Sequence, residues 1–412
     1  MRYSKLFGKT IKDAPKDTVS INAQYLLRGS YIDQLMSGSY TLMPLGLRVI
    51  KKLEQIIREE INDTGAQEIL MPLLHPKDIW NETGRWDSAK DVMYQFEKNE
   101  KEYALSFTHE EILLDLVRKH VSTYRDFPVK MYHFSTKFRN ELRAKSGILR
   151  GREFLMKDLY SMHTSQEDLD EYYEKVAASY MKIFERVGLK ALRVQAAGGV
   201  FTDNVTDEFQ VFTEAGEDEI IYCPGGDFAQ NVEIAQVKEG KECDLGHGPL
   251  QKAKSVEVGN IFRFGTSYSE KMNVSFTDNM GKKQFAYLGS YGIGLTRLMG
   301  TIVEVFHDEK GIVWPENVAP YQVQLVSIKY ELDSIRQKTD ELCEKLQKAG
   351  VEVLLDDRDV SVGQKFSDAD LLGMPYRVVI SEKTQDQIEV KKRNESDAKL
   401  MSTESLLSLL GK

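Results

Sequence analysis

Cysteine is scarce, with only Cys223, Cys243 and Cys343 in 412 residues, which excludes a disulfide framework and fits a reducing compartment. No apolar run approaches the roughly 20 residues that span a bilayer. The opening MRYSKLFGKTIKDAPKD has aspartates and no apolar h-region, so it reads neither as a secretory signal nor as a transit peptide. A soluble cytoplasmic protein with no membrane partner is expected. Internal repeats and low-complexity tracts are absent. The formal net charge is -9, with 29% charged residues mixed in sign, which argues against an acidic tail or a wholly basic coat. RNA binding stays open, because it depends on local positive surface.

What is present is 41% hydrophobic residues, enough for one large core and a second smaller one, and hence two domains. Apolar residues at Leu45, Val49, Ile50, Leu53, Ile56, Ile57 and Ile61 predict a helix that Gly65 stops. QEILMPLL then reads as a buried strand interrupted by Pro72, which suits an edge or an interface better than a sheet centre. Further helices are predicted from about Glu110 to Thr123 and from Gln166 to Val187. Between them KMYHFSTKF, EFLMKDLYSMH and EFQVFTEAGEDEIIYC, the last with a turn at AGED, read as strands. This order predicts an α+β fold with an antiparallel sheet and helices to one side. Beyond Val318 strands and helices alternate in a smaller α/β unit, giving domains 1–318 and 319–412.

Positive charge concentrates in FRNELRAKSGILRGREF, where Arg139, Arg143, Lys145, Arg150 and Arg152 stand against Glu141 and Glu153. If the flanking strands pair, this is a basic hairpin loop with Arg139 and Glu141 on one strand face. A guanidinium suits a phosphate or carboxylate, a carboxylate can accept from an exocyclic amine, and Phe154 could stack beneath a base. A cross-strand ion pair under a solvated loop explains the same residues. In LSFTHEEILLDLV, Thr108 and Glu111 form a capping box, or Thr108 and Glu110 accept from a substrate ammonium or imino group. FAYLGSYGIGLTRLMG is a strand, a glycine-rich turn and a helix bearing Arg297. It lacks both the dinucleotide fingerprint and the Walker A ending. Cys223, Cys243 and His247 lack short Cys-x-x-Cys knuckles, so plain thiols are expected and no zinc.

These segments carry a resemblance over nearly the whole chain. FRNE, the loop and REFLMKDLYSMH resemble motif 2 of class II aminoacyl-tRNA synthetases. PLGLRVIKKLEQIIREEINDTGAQEILMPLL resembles motif 1, and GSYGIGLTRL motif 3. Within the class, MRYSKLFGKT, FTHEE, REFLMKD and VGQKFSDADLLGMPYRVVI are most similar to prolyl-tRNA synthetases. The resemblance implies a catalytic domain with a six-stranded antiparallel sheet, a homodimer formed through motif 1, and a C-terminal anticodon-binding domain. It implies a proline-tRNA ligase that uses ATP with Mg²⁺ and has tRNA(Pro) as partner. Arg139 would grip the α-phosphate and the proline carboxylate, and Glu141 would accept from adenine. Phe154 would stack on adenine, and Arg297 would cover the ring and reach the γ-phosphate. Arg150 joins the ATP set, as do Asn231 and Glu233, the latter a magnesium candidate. Thr108, Glu110, Glu208, Phe209, Ser290 and the segment from Gly265 to Ser269 would form the proline pocket. Arg143, Lys145 and Arg150 at the loop tip would touch the tRNA acceptor end, and Arg358, Lys365 and Arg377 the anticodon.

The chain departs from the family pattern in four places. Only the loop from Val237 to Ser255 occupies the place of the long editing insertion of many bacterial members, so no editing is expected. Ser290 stands where cysteine is common, Phe107 where proline is common, and Asp207 in the place of a histidine. These are expected to touch the amino-acid side of the site. The competing readings are a threonyl or glycyl class II enzyme and a catalytically silent paralogue that binds tRNA or regulates a partner.

Overall fold

The apolar spacing from Leu45 to Ile61 produces helix α1 (Pro44–Asn62). All seven of the residues that predict it are buried. Gly65, at φ 87°, supplies the left-handed residue that lets the chain leave the helix. The computed structural model describes every residue except Asp17, Arg143, Lys145, Val200, Asp203 and Asp227, so the expected tRNA contacts Arg143 and Lys145 lie outside the described residues. The chain divides into two units, residues 36–39 with 53–301, and residues 1–35, 40–52 and 302–412.

The first unit is built on one sheet of nine strands. They are β1 (Gln67–Glu68), β2 (Val129–Phe138), β3 (Glu153–His163), β4 (Leu192–Ala197), β5 (Val205–Phe212), β6 (Asp218–Tyr222), β7 (Ala229–Asn231), β8 (Gln251–Gly265) and β9 (Tyr287–Gly294). Their spatial order is β5-β4-β7-β6-β8-β9-β3-β2-β1, with a further β5–β8 pairing. Only β1–β2 and β4–β7 are parallel. The resemblance implies six strands, but nine are joined here, because short segments such as β1 and β7 extend the antiparallel body.

Helix α2 (Glu110–His120) ends three residues before the expected Thr123, and α3 (Gln166–Arg186) matches its expected span. Helix α3 buries Leu169, Tyr172, Tyr173, Val176, Tyr180, Ile183 and Phe184 against the sheet. Gly259 on β8 makes that approach possible, since a Cβ there would meet Tyr180 and Phe184 at 3.2 Å. Helix α4 (Leu295–Val305) follows β9 directly.

One expectation is corrected and another is refined. QEILMPLL is not one buried strand: Gln67 and Glu68 pair with β2 at the edge of the sheet, Leu74 pairs separately with Leu105, and Leu70 between them is 80% exposed. The turn at AGED forms, with the Gly216 amide donating to the Thr213 carbonyl at 3.0 Å, but it does not reverse the chain. β5 and β6 both lie antiparallel to β8, with Phe212 and Asp218 both opposite Ser255, so the chain kinks and continues along one edge. Gly216 is needed there because its Cα packs on the Ser255 backbone, where a Cβ would stand 2.2 Å from the carbonyl oxygen.

In the second unit β10 (Val323–Ser327), β11 (Val353–Asp356), β12 (Tyr376–Ile380), β13 (Ile388–Lys392) and β14 (Lys399–Met401) form a sheet of order β11-β10-β12-β13-β14. β10 runs parallel to both its neighbours and the other pairings are antiparallel. Helices α5 (Asp333–Lys348), α6 (Val362–Leu372) and α7 (Thr403–Leu409) alternate with the strands as expected. Val323, Leu325, Leu342, Leu346, Val378 and Leu406 close the core.

Candidate active site

β2 ends at Phe138, so Arg139 and Glu141 lie just beyond the strand rather than on its face. The hairpin nevertheless holds its register for one more step, because the Arg139 amide donates to the Arg152 carbonyl at 2.9 Å. The Arg139 guanidinium then lies 5.3 Å from the ring centre of Phe154, 5.3 Å from that of Phe107 and 5.9 Å from that of Phe201. Its Nε is buried without a hydrogen-bond partner, and among the described residues no carboxylate pairs with it. Burial, and then the neighbouring Arg297, push its pKa down. A half-buried cation without an ion-pair partner, set among aromatic rings beside a second guanidinium, is a receptor for an anion.

The other members of the hairpin are already engaged. Arg150 donates to the Glu141 carboxylate at 2.8 Å and to Glu217 at 2.5 Å. Arg297, on the first turn of α4, donates to the Leu149 carbonyl at 2.9 Å and to the Glu257 carboxylate at 2.8 Å. Arg139, Glu141, Phe154, Glu257, Gly259 and Arg297 line one cleft of about 550 Å³. Gly292 leaves part of its floor without a side chain, since a Cβ there would stand 2.8 Å from Met156, which also lines the cleft. The ATP-side candidates Arg139, Glu141, Arg150, Phe154 and Arg297 are therefore brought together. Asn231 and Glu233 do not line this cleft, although Glu233 is near enough to raise Asp218, which does border it. Asn231 is buried on β7, where its side chain accepts from the Glu233 amide at 3.1 Å, and Glu233 is exposed.

On the other side of Arg139, the capping-box reading fails. The Thr108 hydroxyl donates to the Glu110 carboxylate at 2.6 Å, and α2 starts behind His109 with no side-chain cap. Ser290 on β9 donates to the same carboxylate at 3.0 Å, and Arg85 at 3.2 Å. Arg85 also meets Glu111 at 3.1 Å and lies over the rings of Trp80, Phe107, Phe201 and Tyr268. Burial alone would lower its pKa, but Glu111 and Glu110 outweigh it and raise it. Thr108, Glu110 and Ser290 thus form one polar wall.

Phe209 leaves the proline set. Successive strand residues face opposite ways, and Phe209 is fully buried beneath α3, 5.1 Å from Tyr180 and 5.6 Å from Phe184. Glu208 faces the other way. Asp207 is also turned from the site, accepting from Tyr173 at 2.7 Å and Arg193 at 2.8 Å. Of the departures from the family pattern, Ser290 and Phe107 touch the amino-acid side, Phe107 being stacked on Phe201 at 5.8 Å.

Burial, with Glu257 next, pushes the Glu208 carboxyl from the ordinary 4.5 up to about 8. A raised carboxyl favours folding while protonated, so stability is fully present below about 4.5 and declines as pH rises through about 8. Glu208→Gln is expected to abolish this decline. Thermal midpoints of both proteins across that range check it, and parallel pH profiles would refute it.

Beneath the Thr108 loop lies a buried chain of charges. Lys137, fully buried on β2, pairs with Asp158 on β3 and donates to His109 Nδ1 at 3.0 Å. His133 Nε2 lies 3.1 Å from Asp158. Against the effect of burial, Lys137 and His133 hold Asp158 far below the usual carboxylate range. Burial and Lys137 keep His109 neutral, so its Nε2–H donates to the Pro72 carbonyl at 2.9 Å.

The three anticodon candidates are engaged internally. Arg358 makes bonds of 2.8 and 2.6 Å to Asp356 and packs over Tyr3 at 3.7 Å. Lys365 is 2% exposed and donates to the Ser327 carbonyl at 2.6 Å. Arg377, with a side chain 16% exposed, pairs with Asp370 at 3.2 Å and packs over Phe366. Local acids and aromatic rings take up their charge, which removes them as free phosphate contacts.

Residues 94–306 match the family described as the tRNA synthetase class II core domain (G, H, P, S and T), and residues 322–412 match the anticodon binding domain. A proline-tRNA ligase of a Wolbachia from Drosophila simulans is 38% identical over 426 positions, covering 99% of each chain. One from Ehrlichia chaffeensis is 38% identical over 428 positions and the whole of both chains. The chain belongs to the prolyl-tRNA synthetases. Solved prolyl-tRNA synthetase structures share the fold. That of Cryptosporidium parvum, complexed with L-proline and AMP, superposes with TM-score 0.77 at 19% identity, covering 95% of this chain and 76% of that one. That of Giardia lamblia, in complex with prolyl-adenylate, gives 0.77 at 18%, covering 93% and 74%.

Sequence reasoning missed Glu257, Arg85 and the Lys137–Asp158 pair. Glu257 and Asp158 lie inside strand patterns, where a charge at an otherwise apolar position was the available signal. Arg85 left no such trace.

Proposed function

We propose that the chain is a proline-tRNA ligase that joins proline to ATP and then transfers it to tRNA(Pro). What carries this reading is Arg139, an uncompensated guanidinium between Phe154 on one side and Phe107 and Phe201 on the other. There it can hold the proline carboxylate and the α-phosphate at once. The carboxylate is already ionised, so attack on the α-phosphorus needs no strong base. A carboxylate oxygen bonds to phosphorus, the bond to the bridging oxygen breaks, and pyrophosphate leaves. The requirement is alignment of two anions that repel each other, which fixed positive charge supplies.

Phe154 stacks on adenine, Glu141 accepts from its amine after exchanging with Arg150, and Arg297 exchanges Glu257 for phosphate. Thr108, Glu110 and Ser290 face the proline imino group. In the second step a terminal ribose hydroxyl of tRNA attacks the activated carbonyl and AMP leaves. The acidic residues beside Arg297 fit a divalent cation. Burial and Glu257 raise both Glu208 and Asp218, a like-charge conflict that a bound Mg²⁺ would relieve. Glu208, Asp218 and Glu257 would hold it, with Glu233, whose charge acts on Asp218, beside them, and it would neutralise phosphate charge.

Residues 1–318 would serve as the catalytic domain and 319–412 as the anticodon-binding domain, in the cytoplasm. Among the described residues no helix is long and apolar enough to cross a membrane. A homodimer through motif 1 is supported by Leu70 and Leu74, 80% and 52% exposed. The test is pyrophosphate exchange into ATP with each amino acid in turn, without tRNA. Exchange with proline, with or without weaker exchange for alanine, is expected. Exchange with a different amino acid would overturn the proline pocket, and none at all would overturn the activity.

A further inference from the structure

Cys223 follows β6 in the turn Cys-Pro-Gly-Gly, and Cys243 and His247 lie in the loop before β8. The sequence predicts separate thiols, yet the structure brings the three together. Cys223 Sγ lies 3.3 Å from Cys243 Sγ and 3.5 Å from His247 Nδ1, and Cys243 Sγ lies 4.0 Å from that nitrogen. One ligand atom from each falls within 4.8 Å of the others. We propose that Cys223, Cys243 and His247 form a zinc site that clips the segment between β6 and β8.

The spacing fits the ion. Zinc bonds of about 2.3 Å to sulfur and about 2.0 to 2.1 Å to nitrogen, at tetrahedral angles, place two sulfurs about 3.8 Å apart and a sulfur and a nitrogen about 3.6 Å apart. Both sulfur–nitrogen distances lie within about 0.4 Å of that value, and the sulfurs need open by only about 0.5 Å. They are well beyond the roughly 2.05 Å of a disulfide. Two thiolates and an imidazole select zinc over the hard cations that serve phosphates.

The surroundings form a built site. The Gly225 amide donates to Cys223 Sγ at 3.4 Å, a bond that favours the thiolate. Gly225 also clears the histidine, because a Cβ there would lie 2.4 Å from His247 Nδ1. On the facing loop the Gly246 amide bonds to the Cys243 carbonyl at 2.9 Å and the Cys243 amide to Gly248 at 3.0 Å. That tight turn presents both ligands on one side. Beneath lies a small apolar cluster of Ile221, Cys223 and Leu250 with Phe228, Ala235 and Val237 around it. His247 is exposed, which leaves the fourth position to solvent.

So small a core gives the loop little stability of its own, and a bound metal contributes its binding free energy to the fold. The site lies outside the nucleotide cleft and serves β7 and β8 rather than the reaction.

The test is metal analysis of the full-length protein, purified without chelator and then dialysed against buffer containing zinc and again without it. About one zinc per chain is expected. Cys243→Ser and His247→Ala should each lose it, while Cys343→Ser, at the third cysteine, keeps it. Cobalt replacing zinc should show thiolate-to-cobalt charge-transfer absorption in the wild type and lose it in Cys243→Ser, which reports ligation whatever the variant's stability. A wild-type protein that retains no zinc, equal loss in Cys343→Ser, or a Cys223–Cys243 disulfide in the freshly purified chain would each overturn the proposal.

Discussion

Arg139→Ala is expected to lower proline-dependent pyrophosphate exchange by roughly 10²- to 10⁴-fold, about 3 to 5 kcal/mol of transition-state stabilisation. The same substitution should leave the folding free energy unchanged or raise it. The residue is half-buried, its Nε is buried without a hydrogen-bond partner, no carboxylate among the described residues pairs with it, and it is pressed by Arg297. Removing it therefore relieves a desolvated charge instead of breaking a bond. Chemical denaturation and pyrophosphate exchange on the same preparations separate the two effects. A variant within about tenfold of wild-type kcat/KM would remove Arg139 from the reaction. One that lost stability and activity together would make it a structural residue. The combination of large loss and undiminished stability is the mark of a group held under strain for its ligand.

Asp158→Asn should act in the opposite sense. Lys137 is fully buried, and Asp158 is the carboxylate paired with it. Neutralising Asp158 leaves an ammonium ion stranded inside the sheet, a change that typically costs 3 to 5 kcal/mol, so a loss of about that size is expected in denaturant titrations. The double variant Lys137→Met with Asp158→Leu removes both charges and should recover most of it, because no uncompensated ion remains. A single variant within about 1 kcal/mol of wild type, or a double variant no better than the single, would show that the pair is not the structural ion pair described. Loss of activity in the double variant would reflect the Thr108 loop, which rests on His109 and through it on Lys137.

The segments most legible in the sequence are those where periodicity and composition agree. Helices α1 and α3 and the β2–β3 hairpin emerge where apolar spacing places them, and the basic loop between the hairpin strands does border the cleft. Failures cluster where one residue type serves two physical ends. Gly216 carries a turn signal, but it is there because backbone meets backbone at Ser255. Thr108 has the spacing of a helix cap, yet its hydroxyl donates to a buried carboxylate two residues on instead of accepting from the amide three residues on. Glu208 and Phe209 are adjacent and so cannot face the same way on a strand. Arg358 and Lys365 look free in a string of letters because Asp368 and Tyr3, for the first, and the Ser327 carbonyl, for the second, reach them only through the fold. The Cys223–Cys243–His247 cluster was hidden for a similar reason, since the 20-residue separation of its two sulfurs disguises two turns that face each other.

Glu141 and Arg297 are both engaged within the protein while Arg139 is not, and this ranks the visitors to the cleft. A nucleoside without phosphates meets the same aromatic wall but carries nothing that can draw Arg297 away from Glu257. A triphosphate brings the charge that makes the exchange worthwhile, landing first where the protein has no anion of its own. The swap of partners thus acts as a toll gate, and the distinction between adenosine and ATP is made by the ion pairs that each can open.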